Sequence, residues 1–198
     1  QDCAYGYRTS RFKTAWKGRY VITAVTFRLS RTPQPRLDYV GLRKALSCHS
    51  ERSEESVRSE ESLTPQLIRD TIIGIRNAKL PDPAETGSAG SFFCNPVISR
   101  EHFERMVETA REDNGPDYQV PHYVTPEGVK VPAAWMIDQC GFKGARSGGA
   151  QVYPKQPLVI VNASGTATPQ DIIGLEQQII QTIEQKYGIT LHPEVEHV

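Results

Sequence analysis

The feature that most constrains the fold lies near the C-terminus. Leu158-Val159-Ile160-Val161 is an unbroken apolar run of the kind that fills a strand covered on both faces. Thr168-Pro169 then supplies a capping hydroxyl and a first-turn proline, and Ile172, Ile173, Ile179, Ile180 and Ile183 follow at helical spacing until Gly188. Ile189-Thr190-Leu191 reads as the start of a last strand. A strand, a helix of about five turns and a strand predict a right-handed crossover unit.

Similar punctuation recurs upstream. Val21 to Leu29 is rich in β-branched residues and predicts a strand. Thr64-Pro65 opens a helix whose face carries Leu67, Ile68, Ile72 and Ile75. Ser99 can cap another, with Phe103, Met106, Val107 and Ala110 on one side. Ala133 to Cys140 is a short apolar helix closed by Gly141. Together these elements predict an α+β (mixed α/β) chain.

One segment is built differently. Residues 47–62 contain Arg-Ser-Glu-Glu-Ser twice and a single aliphatic side chain, Val57, too little apolar surface to offset the entropy of ordering. It reads as a solvated insertion within a loop, which loop-closure entropy tolerates well, or as an exposed helix.

Charge and cysteine usage narrow the partners. Lysine plus arginine and aspartate plus glutamate are equal at 23 each in 198 residues, so the chain as a whole has no net field to attract nucleic acid or an anionic membrane. No apolar run reaches the roughly 20 residues of a spanning helix, and the N-terminus has no signal-peptide pattern. Four scattered cysteines, Cys3, Cys48, Cys94 and Cys140, with no C-x-x-C pair, point to a reducing cytoplasm.

The chemistry-bearing stretch is Ala89-Gly90-Ser91-Phe92-Phe93-Cys94-Asn95-Pro96, preceded by Arg76-Asn77-Ala78-Lys79-Leu80-Pro81-Asp82-Pro83. A small-residue turn delivers one hydroxyl beside two aromatics, followed by an amide and a proline. By itself this is also what a surface turn at a strand end looks like. The company it keeps is more telling. Cys3 to Lys13, Tyr20 to Leu29, Ala133 to Gly141 with Ser147-Gly148-Gly149-Ala150, and Pro193-Glu194-Val195 occur in the order found in the UDP-N-acetylenolpyruvoylglucosamine reductase family, whose Ser loop the 89–96 run resembles. The tyrosine-bearing segment after the first strand resembles the long, type I form.

That resemblance implies a fold and a division of labour. Residues 1–32 would be the closing strands of a FAD-binding domain, and 33–198 the substrate-binding domain with the insertion at 47–62. No glycine-rich phosphate cradle is present, and Ser147-Gly148-Gly149-Ala150 is too short to count as one. The chain is therefore expected to be the catalytic half of an oxidoreductase, inactive by itself, with FAD held mainly by a region it lacks and NADPH as reductant. The implied substrate is UDP-N-acetylglucosamine enolpyruvate, reduced to UDP-N-acetylmuramate for peptidoglycan, by a cytoplasmic enzyme that is a monomer when complete. Hydride addition to the terminal carbon of the enolpyruvyl ether leaves an enolate, and a general acid protonates the adjacent carbon.

By motif, Ser91 would be that acid, while Arg8 and Glu194 would flank the substrate carboxylate, Arg8 as a charged fork and Glu194 as a protonated donor. Tyr39, Lys79, Asn95, Tyr123 and Gln156 would bind substrate, Lys79 as a point cation for the diphosphate. Residue types alone leave plainer roles open: a surface Arg8, an exposed strand carboxylate at Glu194, a solvated Lys79, a capping Asn95. They also allow a metal set from His192, Glu194, Glu196 and His197, with 192, 194 and 196 on one strand face. Departures from the family are Cys94 where a lysine is common, His192 for a frequent glutamate, and Pro154. The other readings are a non-catalytic UDP-sugar-binding module and the remnant of a truncated gene.

Overall fold

The long C-terminal helix and the strand before it form where the apolar pattern places them. In the computed structural model, β7 (Val159–Asn162) has three fully buried residues, and α5 (Pro169–Tyr187) buries Leu175, Ile179 and Ile183. The described residues are all except Gln1, Tyr7, Pro33, Tyr39, Val40, 52–62 and Val198, with only the backbone of 48–51. Thr168 and Asp171 form a reciprocal capping box at the start of α5, and Gly188 closes it in a left-handed conformation.

The chain divides into two units, Gln1–Arg36 and Leu37–Val198. The first has a tight turn in which Gly6 and Thr9 exchange both backbone hydrogen bonds, then a single 3-10 turn at Arg11–Lys13. Phe12, Trp16 and Tyr20 stack edge to face with centroids 5.3 and 5.4 Å apart, and the Arg11 guanidinium lies 5.5 Å from the Trp16 ring. The strand expected over Val21 to Leu29 is not formed. A strand exists only where a neighbour takes its N–H and C=O groups, and within this unit no described segment does so; Val21, Phe27 and Leu29 stand exposed.

In the second unit, α1 (Leu42–Glu51) pairs with α2 (Pro65–Lys79), whose first turn is capped by the Thr64 hydroxyl accepting from Leu67 N. The first residues of the expected insertion, 47–51, are thus the end of α1, while 52–62 lie outside the described residues. A four-stranded antiparallel sheet runs β1 (Ser88–Ser91), β7, β6 (Ala150–Val152), β5 (Arg146–Ser147). A three-stranded sheet runs β2 (Val97–Ile98), β4 (Gly128–Lys130), β3 (Tyr123–Thr125). Helices α3 (Arg100–Asn114), α4 (Ala133–Gln139) and α5 enclose one core with Phe92, Phe93, Met106, Met136, Ile137 and Ile183. Each of these large side chains contributes roughly 1.5–3 kcal/mol by burial.

Polar ties fix the helices to one another. Ser99 caps α3, and His102 donates from Nε2 to the Tyr187 carbonyl at the end of α5 (2.7 Å). Lys186 meets Asp113 at 2.6 Å and the Gln139 carbonyl at 3.2 Å, joining α3, α4 and α5.

The parallel crossover does not close. Residues 189–191 form no strand, and the segment after them makes a single antiparallel bridge, Pro193 to Phe93. The bonds of this bridge come from its neighbours, Cys94 N to His192 O and Glu194 N to Phe92 O, and it is not extended into a strand. All strand pairs among the described residues are antiparallel. The α+β class holds.

Candidate functional site

β1 pairs with β7 with an irregular register between Ser88 and Ser91, and Gly90 sits at φ 76° inside that irregularity. A bulge re-aims the residue that follows it, and Ser91 stands exposed at the strand end. Behind it Phe92 and Phe93 are 1 % exposed with ring centroids 5.2 Å apart. The aromatic pair therefore anchors the loop in the core and leaves the hydroxyl outside.

The same segment brings in the C-terminal glutamate. Glu194 N donates to Phe92 O at 2.8 Å, and Cys94 N to His192 O at 2.9 Å. Ser91 is thus the residue next to the one bonded to Glu194, although the two are 103 positions apart in the chain. Glu194 is half-buried. On the other side, Phe92 N donates to Leu158 O at 2.8 Å. Gln156 lies two residues earlier in the β6–β7 loop, its backbone tied to Tyr153 and Val159. Backbone bonds on the two sides of residues 92–94 gather Ser91, Glu194 and the loop of Gln156.

Asn95 is held by structure. Its Oδ1 accepts from Ala133 N at 2.8 Å, so it caps α4 from 38 residues away, where the N-cap Pro132 has no side chain to do so. The plainer capping role accounts for the oxygen. Tyr123 begins β3, opposite Lys130 of β4, and the Lys130 ammonium lies 5.8 Å from its ring centroid. Lys79 is the exposed last residue of α2. Beside it a depression of ≈ 350 Å³ is lined by Arg76, Asn77, Leu80, Pro81, Asp82 and Pro83, the motif singled out in the sequence. Asp82 organises that turn, accepting from Ala84 N through Oδ1 and from Thr86 N through its carbonyl.

Arg8 belongs to the first unit. It occupies the Gly6–Thr9 turn at φ 58°, a left-handed conformation uncommon for a side chain of this size. Such strain at an arginine is the kind that accumulates at working positions. Tyr39 lies outside the described residues.

Two further features went unread in the sequence. Glu176 faces inward on α5 and is almost fully buried, with His197 Nε2 2.9 Å from its Oε2, which ties down the segment after Glu194. Among the described residues no three metal-ligating side chains are gathered together. The second is the Lys130–Tyr123 pairing, whose signal is the Thr125-Pro126-Glu127-Gly128 turn that sets the hairpin register.

The Ser147–Ala150 turn has a structural task. Asp171 accepts from Gly149 N, and a Cβ at Gly149 would come within 2.6 Å of the Ala167 Cα. The glycine pair lets the β5–β6 turn sit against the capping box of α5. Bonds from the Thr168 backbone, then the Gly149 backbone, then the Thr168 side chain hold the Asp171 carboxyl below its usual range. Burial pushes the Cys140 thiol up, with Lys186 opposing.

Comparison with known proteins follows the same segments. The C-terminal domain of UDP-N-acetylenolpyruvoylglucosamine reductase matches residues 82–198. Curated proteins named UDP-N-acetylenolpyruvoylglucosamine reductase are similar along the chain: that of Porphyromonas gingivalis is 46 % identical over 100 % of this chain and 54 % of its own length. The Burkholderia multivorans protein is 40 % identical over 97 % of this chain and 51 % of its own length. The chain spans about half the length of the curated relatives it matches.

Proposed function

Because the chain belongs to the UDP-N-acetylenolpyruvoylglucosamine reductase family, we propose that it is the catalytic and substrate-binding part of a reductase converting UDP-N-acetylglucosamine enolpyruvate to UDP-N-acetylmuramate in the cytoplasm. Residues 1–32 are then the end of a FAD-binding domain, and NADPH the reductant. The observation that carries this reading is the ladder joining 92–94 to 192–194, which sets Ser91 next to the strand position of Glu194.

The Gly148-Gly149 turn does not fit the flavin phosphates, since the Asp171 carboxylate lies against it and would repel an anion. In the proposed reaction this chain's side chains work on the substrate. Arg8 offers a planar fork to the enolpyruvyl carboxylate, and its strained turn presents it. Glu194 stands by the same carboxylate as a hydrogen-bond partner for charge that develops during reduction. Ser91 delivers a proton to the ether-bearing carbon. Exposure at a strand end, with a wall of two buried aromatics behind it, leaves that hydroxyl room to meet substrate. Lys79, Asn95, Tyr123, Gln156 and Tyr39 hold the UDP-sugar.

The test joins this chain to the N-terminal region of the Porphyromonas gingivalis relative and follows flavin absorbance. Ser91→Ala should leave flavin reduction by NADPH near the parent rate and slow reoxidation by the enolpyruvyl substrate by about 10²–10⁴-fold. Equal reoxidation rates would reduce Ser91 to a turn residue. The commitment of the glycine turn also favours a second reading for the chain alone, a module that binds UDP-sugar and reduces nothing. NADPH oxidation by residues 1–198 with substrate and added FAD would exclude it.

A further inference from the structure

The inward face of α5 carries one ionisable side chain that the proposed reaction does not use. Glu176 falls in register with Ile179, Ile183 and Tyr187, the buried stripe of the helix, and its side chain is 6 % exposed. An aliphatic residue there would avoid taking a carboxylate out of water. A charge in such a stripe does not stabilise the core by itself; what it adds is a fixed partner. That partner is His197, whose Nε2 lies 2.9 Å from Glu176 Oε2. A protonated Nε2 can donate to the carboxylate in the neutral ring as well as in the cation. The His197 side chain is 48 % exposed, so it stays hydrated when the pair is broken, and the buried member is the one that specifies the contact.

The place of this pin along the chain gives it a bearing on the site. Three residues before His197 is Glu194, whose N–H donates to Phe92 O beside Ser91, while Cys94 N donates to His192 O. Val195 packs against the core between Glu194 and the pin. The stretch 192–197 is thus fastened to residues 92–94 at one end and to α5 at the other. The bond at its N–H holds Glu194 on one side, and the pin restrains the chain that leaves its carbonyl. Both ends of the Glu194 backbone are then fixed, and the direction open to its side chain depends on that backbone.

We propose that Glu176 is a positioning residue: paired with His197, it fixes the chain beyond Glu194 and so sets where the Glu194 carboxyl meets substrate. The inference rests on the reductase reading above. Its first test needs no activity. Amide hydrogen exchange on residues 1–198, followed by NMR, compares the parent with Glu176→Leu. Exchange at Glu194 and Cys94 should quicken by about 10-fold or more, the effect of losing a hydrogen bond to a charged group. Exchange at Ile179 and Ile183 and the melting midpoint should stay at or above the parent's protection, since leucine suits the stripe. Unchanged exchange at Glu194, or equal loss across α5, overturns the inference. The second test uses the fusion to the Porphyromonas gingivalis N-terminal region. Glu176→Leu should slow flavin reoxidation at saturating enolpyruvyl substrate by about 10-fold, with KM within a few-fold and flavin reduction by NADPH unchanged. In a Glu194→Gln background the same substitution should slow reoxidation no further, because its effect passes through Glu194. Additive losses in that double variant, or parent-like reoxidation in Glu176→Leu, overturn the inference and leave the reductase reading standing. A parent fusion that substrate does not reoxidise removes that reading and the inference with it. A Glu176→Leu chain that does not fold is replaced by His197→Ala, judged by the same exchange at Glu194 and the same double variant.

Discussion

Asn95→Ala separates holding the fold from holding a ligand. Asn95 Oδ1 is bonded at 2.8 Å to the backbone N of Ala133, a residue that is 0 % exposed, at the start of a seven-residue helix with no side-chain cap of its own. Truncation leaves a buried donor unpaired, which costs about 1–3 kcal/mol, in line with the upper range for lost caps. For a chain of this length each kcal/mol moves the melting midpoint by about 2–4 °C, so Asn95→Ala should melt about 2–12 °C below the parent. Asn95→Asp keeps the acceptor and adds a negative charge at a helix N-terminus, where it is favourable. It should melt within about 1 °C of the parent, while losing the amide N–H that the proposed site would offer to a UDP-sugar. The assay is thermal and urea unfolding followed by circular dichroism, paired with UDP titration. An Asn95→Ala midpoint equal to the parent's, or an Asn95→Asp loss as large as that of alanine, refutes the capping assignment.

Two further outcomes follow from shifted ionisations. Asp171 is held below its usual range by the backbone bonds of Thr168 and Gly149 and by the Thr168 hydroxyl. A lowered carboxyl contributes stability above the ordinary aspartate value near about 4 and loses it as pH falls through the folded value. Urea midpoints of the parent should therefore fall faster below about pH 4 than those of Asp171→Asn, and a difference between the two that does not change with pH would contradict this. Cys140 has its thiol pushed up by burial, so mass spectrometry should find it unalkylated by iodoacetamide at neutral pH and labelled only as pH climbs past the usual thiol range. Fast labelling of Cys140 in the folded protein at pH 7 would contradict the burial.

Local chemistry carried over well into structure wherever the deciding contacts lie within one turn. Thr64, Ser99 and Thr168 cap the helices they were expected to cap, because each hydroxyl needs only an amide three residues on. The apolar spacing of α5 and the run at 159–161 likewise reached the core. Val21 to Leu29 did not become a strand, since β-propensity describes how a residue suits a sheet and cannot supply the neighbour that makes one. The last strand shrank to one bridge between Pro193 and Phe93, since its extent depends on the partner segment and not on the propensity of 189–191.

At the site, the sequence alone singled out the candidate residues: a hydroxyl in a small-residue turn, two aromatics and a glutamate near the end, in the order of one family. It could not say that Glu194 would bond to Phe92, that Asn95 would cap a helix 38 residues away, or that Lys130 would lie on Tyr123. Those pairings depend on which strands become neighbours, and that is settled by burying the whole apolar set at once. Residue type and short-range spacing determine what each segment can do; only the shared core decides which of them meet.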